Sequence, residues 1–170
     1  MADSDAPARE WTTIVIGAVT ATIGVYYLLV GLGLAPAPPV RGSDAQAPLW
    51  LALLIGLIFF AGGAAVMLRG LTGADDKSGD LPATASRSAA TVYWLLGLLV
   101  AVGLAATATW VALGSGSRHF TIVGVISGSL GERIGRAAFG IGAIISWTIV
   151  AAMTYSGAKK LLGRKAASSR

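Results

Sequence analysis

Four long stretches without a charged residue constrain what this 170-residue chain can fold into. They contain 30, 24, 30 and 22 residues and cover residues 11–40, 45–68, 88–117 and 137–158. A helix that crosses a bilayer needs about 20 predominantly apolar residues, so each stretch is long enough to span one. We therefore predict an all-α integral membrane protein, a four-helix bundle made of two transmembrane hairpins.

Proline positions narrow the helix limits, because proline lacks the N–H that an apolar helix centre needs. All six prolines lie outside the apolar centres. We predict one membrane domain over residues 1–170, with helices near 11–34, 48–68, 88–113 and 130–158. Between the two hairpins lies a polar cytoplasmic linker, 69–87, and the chain ends in a basic tail, 159–170.

The first apolar segment also resembles a secretory signal, since the small residues of "GLAPAPP" follow it. However, its apolar run is longer than a signal core, and "MADSDAPARE" is acidic where a signal peptide is basic. We therefore expect the segment to be a retained helix.

Lysine and arginine counts predict the orientation. Nine of the 13 basic residues lie in the two tails and the 69–87 linker, and four lie on the other side, in the two remaining loops and the start of the fourth helix. Positively charged loops stay in the cytoplasm, so we expect a multi-pass protein with both termini cytoplasmic. This asymmetry also accounts for most of the net charge of +5, so we expect no nucleic-acid partner.

Few residues in the chain have the chemistry that an enzyme or a cofactor site needs. There is no cysteine and one histidine, His119, whereas a zinc site needs three or four ligands. The glycine-rich "GSGSRH" follows a helix instead of opening one, which argues against a phosphate-binding loop. No ionisable side chain except tyrosine lies within an apolar stretch. We therefore predict no enzymatic activity, no metal and no cofactor.

The stretch "GSGSRHFTIVGVISGSLGER", residues 114–133, is interpreted as a connector. Its glycines suit a helix C-terminus, and Ser129 with Glu132 is spaced as a capping box for the fourth helix. Glu132 and Arg136 are four residues apart and should pair. The conformation of 114–129 stays open. Arg118, His119 and Arg133 form a candidate external contact surface, although a solvated loop explains them better.

Small residues four apart mark candidate helix-packing positions, because membrane helices associate through close backbone approach. The positions selected are Gly17, Ala21, Gly56, Ala138, Gly142 and Ser146. Trp147 lies beside the last three in mid-membrane, where no lipid headgroup can accept its N–H. We expect it to donate to a hydroxyl or a backbone carbonyl on a neighbouring helix.

The runs "GLGLAPAPP", "LWLALLIGLIFFAGGAAVMLRG", "WVALGSGSRHF" and "ERIGRAAFGIGAIISW" resemble a group of small four-helix inner-membrane proteins of proteobacteria that have no assigned activity. The resemblance implies the bacterial inner (plasma) membrane and carries over no functional residue. A weaker likeness, in length and in the first hairpin, is to the small membrane subunits of tripartite tricarboxylate transporters. The long loop before the fourth helix departs from that pattern.

Small-residue faces and a stable topology are sufficient for an accessory or scaffold subunit that acts through helix–helix contacts. We expect its partners to be the lipid bilayer and a second copy or a larger membrane complex. The alternative is a small membrane subunit of a secondary transporter. Transport paths usually carry acidic, basic or histidine side chains within the membrane, and the four apolar stretches contain none.

Overall fold

The computed structural model of the chain describes residues 10–38, 48–73, 81–82, 85–114 and 129–168. The side chains of Ser129, Ala158 and residues 160–168 are not part of that description. Within these ranges the chain forms four helices and no strand. They are α1 (Trp11–Gly31), α2 (Leu49–Thr72), α3 (Arg87–Leu113) and α4 (Ser129–Ser168). The predicted all-α class and the helix number are confirmed for these residues, and each helix is long and apolar enough to cross a membrane.

Left-handed glycines end the first two helices. After α1, Gly33 has a φ of 73°, its N–H donates to Val30 O, and the N–H of Leu34 donates to Leu29 O. This is the Schellman arrangement, and it stops α1 at Gly31 instead of the expected 34. Gly73, with a φ of 64°, ends α2 at Thr72, one turn beyond the expected 68.

Helix α3 begins with a side-chain cap, and helix α4 is longer than predicted. The side chain of Ser86 accepts the N–H of Ala89 at 3.2 Å and so caps the start of α3. Helix α4 begins with Ser129 inside the helix rather than before it, and it continues to Ser168, ten residues beyond the expected 158. The predicted basic tail is therefore largely helical.

Hydroxyl groups within the helices are satisfied locally. Thr20 donates to Ile16 O, Thr107 to Gly103 O and Thr148 to Ile144 O, in each case the carbonyl four residues earlier. In a bilayer core no water is present to accept these protons, so a threonine in a span needs such an acceptor. These three hydroxyls therefore have an acceptor within their own helix.

The chain divides into two compact units, residues 1–100 and 101–170. The first contains α1 and α2, and the second contains α4. The division falls within α3. The close contacts that bear on function lie within each unit.

Candidate functional site

Six buried glycines line the contact between α1 and α2. On α1 they are Gly17, Gly24 and Gly31, and on α2 they are Gly56, Gly63 and Gly70. The members of each set are seven residues apart, which is two helical turns, so each set lies on one face of its helix. The two faces are therefore made of glycine along most of their length.

The glycines bring the two backbones into direct contact. A Cβ on Gly17 would lie 2.6 Å from the Met67 backbone N, and a Cβ on Gly56 would lie 2.6 Å from the Leu28 backbone N. At Gly24 the Cβ would lie 2.7 Å from the Phe60 Cα. Real Cβ atoms do not approach other atoms this closely, so only glycine allows this separation of the helix axes.

The order of the contacts gives the direction of packing. Gly17 contacts α2 near Gly63, Gly24 contacts it near Phe60, and Gly31 contacts it near Leu53. Residue numbers of the partners on α2 therefore fall as residue numbers on α1 rise. The helices therefore run antiparallel. Ala21 belongs to the same contact, because its backbone N and Cα are two of the three atoms nearest to a Cβ on Gly63.

Three of the six packing positions chosen from sequence thus lie at the α1–α2 contact: Gly17, Ala21 and Gly56. Gly24, Gly31, Gly63 and Gly70 were missed. The available signal was the exact seven-residue spacing of glycine in both helices, which a search at four-residue spacing does not detect.

In the second unit, α3 and α4 are joined by a tryptophan. The indole Nε1 of Trp147 donates to the hydroxyl of Thr109 at 3.1 Å. That hydroxyl in turn donates to Ala105 O at 2.7 Å, which leaves its lone pair directed at the indole. The expectation that Trp147 finds a hydroxyl on a neighbouring helix is confirmed.

Near one end of α3 and α4, Arg136 makes two further contacts. Its Nη2 lies 2.9 Å from Glu132 Oε1, so the predicted pair across one turn is present. Its Nη1 donates to the carbonyl of Gly114 at 3.1 Å. That carbonyl lies just after α3, where helix carbonyls lack a partner and the helix dipole favours a cation. Arg136 therefore joins the end of α3 to the first turns of α4.

The predicted packing column of α4 lies away from these contacts. Ala138 is exposed, and a Cβ on Gly142 would meet nothing within 4 Å. Ser146 is half-buried. Approach of α3 occurs instead at Gly140, where a Cβ would lie 3.9 Å from Ala112 Cβ. The column therefore does not pack against α3 and faces outward from the contacts of its own unit.

The candidate external surface is described only in part. Arg133 is exposed on the first turns of α4, whereas Arg118 and His119 lie outside the described residues. Within the described ranges no three histidine, cysteine, aspartate or glutamate side chains come together as a metal site would require. One buried polar atom, Trp94 Nε1, has no hydrogen-bond partner among the described residues.

The part of the chain that the structure describes is all-helical, with four apolar helices of membrane-spanning length, joined by glycine contact in one unit and by polar contacts in the other. Comparison with models of protein families, with curated proteins and with solved structures found no match. The resemblance to small inner-membrane proteins of proteobacteria therefore stays a prediction.

Proposed function

We propose that the chain is a multi-pass protein of the bacterial inner membrane, with both termini in the cytoplasm, that acts as an accessory or scaffold subunit through helix–helix contacts. In this proposal α1 with α2 and α3 with α4 form the two transmembrane hairpins. The observation that carries it is the outward-facing small-residue column of α4, made of Ala138, Gly142 and Ser146. Its unit leaves a face on which a second helix can approach closely.

The neighbours of the column support this assignment. Ile141 and Ile145, which flank it, are 62% and 56% exposed, so apolar side chains beside the column are open to a partner. Helix association in lipid depends on close packing, because lipid tails are as apolar as the side chains themselves. A face that combines small residues with flanking isoleucines provides that packing to a second copy or to a larger complex.

The contact between α1 and α2 supports a scaffold in a different way. The backbones of α1 and α2 are in close contact at six glycines, so the distance between the two helices is set by packing. Val15, Val19 and Ile23 remain exposed on α1. These branched side chains present a second outward apolar face whose position is set by the glycine contact.

Replacement of Gly142 by leucine tests the proposal. Nothing within 4 Å meets a Cβ at Gly142, so the melting temperature of the purified single chain should not change. The variant should nevertheless lose the larger complex in native gels of membranes extracted with a mild detergent. The matched control is Ile141→Leu, which keeps side-chain volume at the next residue and should keep the complex.

Two results would contradict the proposal. Either the wild type is extracted as a single chain of 17.2 kDa, or Gly142→Leu and Ile141→Leu give complexes of the same size and amount. Recovery of a much larger polytopic transporter chain in the wild-type complex would instead identify the transporter-subunit alternative.

A further inference from the structure

An open groove of about 700 Å³ lies between α3 and α4. Its lining is almost entirely apolar and includes Ala112, Leu113, Gly140, Ala143, Ile144 and Ala151. It exists because small residues stand where larger side chains would fill the space between the helices. The groove lies on the face of α4 opposite to the Ala138–Gly142–Ser146 column, about half a helical turn away.

The polar side chains in the groove wall are already hydrogen-bonded to protein. Trp147 donates to Thr109, Thr109 donates to Ala105 O, and Thr148 donates to Ile144 O. A ligand that offered polar groups here would lose its bonds to water without a matching gain. The part of any ligand that enters the groove is therefore hydrocarbon.

The length of the groove matches that of one lipid chain. On α4 it extends from Gly140 to Ala151, which is roughly 17 Å at the helical rise. This length is close to half of the ~30 Å hydrocarbon core of a bilayer. One acyl chain occupies a single leaflet, so a groove of this length accommodates one acyl chain.

Cationic groups stand at the Gly140 end of the groove. Arg136 lies one turn before Gly140 on the same helix and faces α3, since it donates to Gly114 O. Arg133 is exposed on the turn before that. With Glu132 counted, this end of α4 has a net charge of +1, which is complementary to an anionic headgroup.

From these observations we propose that the groove binds one anionic glycerophospholipid. One acyl chain lies in the groove between α3 and α4, and the phosphate lies beside Arg133 and Arg136 at the membrane surface. The site goes beyond the proposed scaffold role and uses the opposite face of α4.

Native mass spectrometry of the full-length protein tests the site. The protein in mild detergent is mixed with dioleoyl phosphatidylglycerol or dioleoyl phosphatidylcholine, which share their chains and differ in headgroup charge. We expect bound phosphatidylglycerol to exceed phosphatidylcholine by about fivefold, the effect of one surface arginine on an anionic lipid. Equal binding of the two lipids would overturn the proposal.

Two leucine substitutions on α4 form the matched pair. Gly140→Leu places its first carbon in ordinary contact with Ala112 and its remaining carbons in the groove, so both lipids should be lost. Gly142→Leu adds the same volume outside the groove and should bind lipid as the wild type does. If both variants retain phosphatidylglycerol, or if Gly140→Leu changes only a dimer mass, the groove does not hold a lipid chain.

Arg133→Gln provides a second route that leaves the groove intact. This exposed residue makes no demand on packing, so the variant should fold. It should still bind the acyl chain, but its ratio of bound phosphatidylglycerol to bound phosphatidylcholine should fall by about fivefold. An unchanged preference would refute the headgroup assignment. All of these measurements use the single chain, so they can fail or succeed independently of the larger complex.

Discussion

Two adjacent glycines on α2 permit a sharp test of how α1 and α2 are held together. Gly63 faces α1, and a methyl there would lie 2.6 Å from the Gly17 carbonyl oxygen and 2.8 Å from the Ala21 Cα. A methyl on Gly62 would meet only Val100 Cγ2, at 3.9 Å, an ordinary contact. Gly63→Ala and Gly62→Ala therefore add the same methyl group, but the first should destabilise the protein and the second should not.

The magnitude follows from the distances. Carbon contacts are most favourable at about 3.5–4.0 Å, so Gly63→Ala must move the backbones apart by about 1 Å. A gap of 0.5–1 Å removes roughly a quarter to a half of the attraction between the facing atoms. Overpacking of this kind costs about 1–3 kcal/mol. Alanine recovers about 0.5–1 kcal/mol in a helix relative to glycine, so the net loss is about 0–2.5 kcal/mol, centred near ~1 kcal/mol.

Gly62→Ala gains the helix preference of alanine without a steric clash, so it should stabilise the folded protein by up to about 1 kcal/mol. Both variants are measured by unfolding in dodecyl maltoside with increasing dodecyl sulfate, followed by tryptophan fluorescence. The midpoint should fall for Gly63→Ala and stay or rise for Gly62→Ala. If the two midpoints move together, the glycine face of α2 does not set the distance between α1 and α2.

Two further predictions concern the second unit and the topology. In a double-mutant cycle of Trp147→Phe and Thr109→Val, detergent unfolding should give a coupling of about 0.6 kcal/mol, typical of a hydrogen bond between membrane helices; additive effects would show that the bond contributes nothing. A reporter active only in the cytoplasm should work when fused after Arg170 or within residues 75–80 and fail near Gly124, because basic loops stay inside; inactivity at either cytoplasmic position would reverse the orientation.

The helices themselves were predictable because uncharged stretches leave few alternatives, but their ends were not. An arginine such as Arg69 marks where a segment leaves the apolar region, not where the helix ends. Helix α2 continues past Arg69 until Gly73 adopts a left-handed conformation. Helix α4 likewise passes Lys159 and continues to Ser168. Charge sets the membrane boundary, and capping sets the helix end.

The packing faces were only half predictable from sequence. Gly17, Ala21 and Gly56 were found because they lie on the same helix faces as the glycines that repeat every seven residues. The α4 column was chosen by the same rule, yet α3 approaches at Gly140 on the other face. In a soluble helix the apolar stripe itself identifies the buried side. A membrane helix is apolar all round, so small residues show where close approach is possible without showing which neighbour uses it.

The two kinds of contact in this chain have different requirements, and this difference bears on the proposed scaffold role. Close backbone packing at six glycines holds α1 against α2. This contact leaves no room for an added carbon at those glycines and does not depend on polar side chains. Between α3 and α4 the specific contacts are a tryptophan–threonine bond and an arginine on a helix carbonyl, with open space of about 700 Å³ beside them. The long side chains of Trp147 and Arg136 bridge α3 and α4 at a separation that leaves open space beside the bonds. The pair that is fixed by hydrogen bonds is therefore the one that can hold a ligand between its helices, and the glycine pair is the one that can hold a fixed face toward a partner.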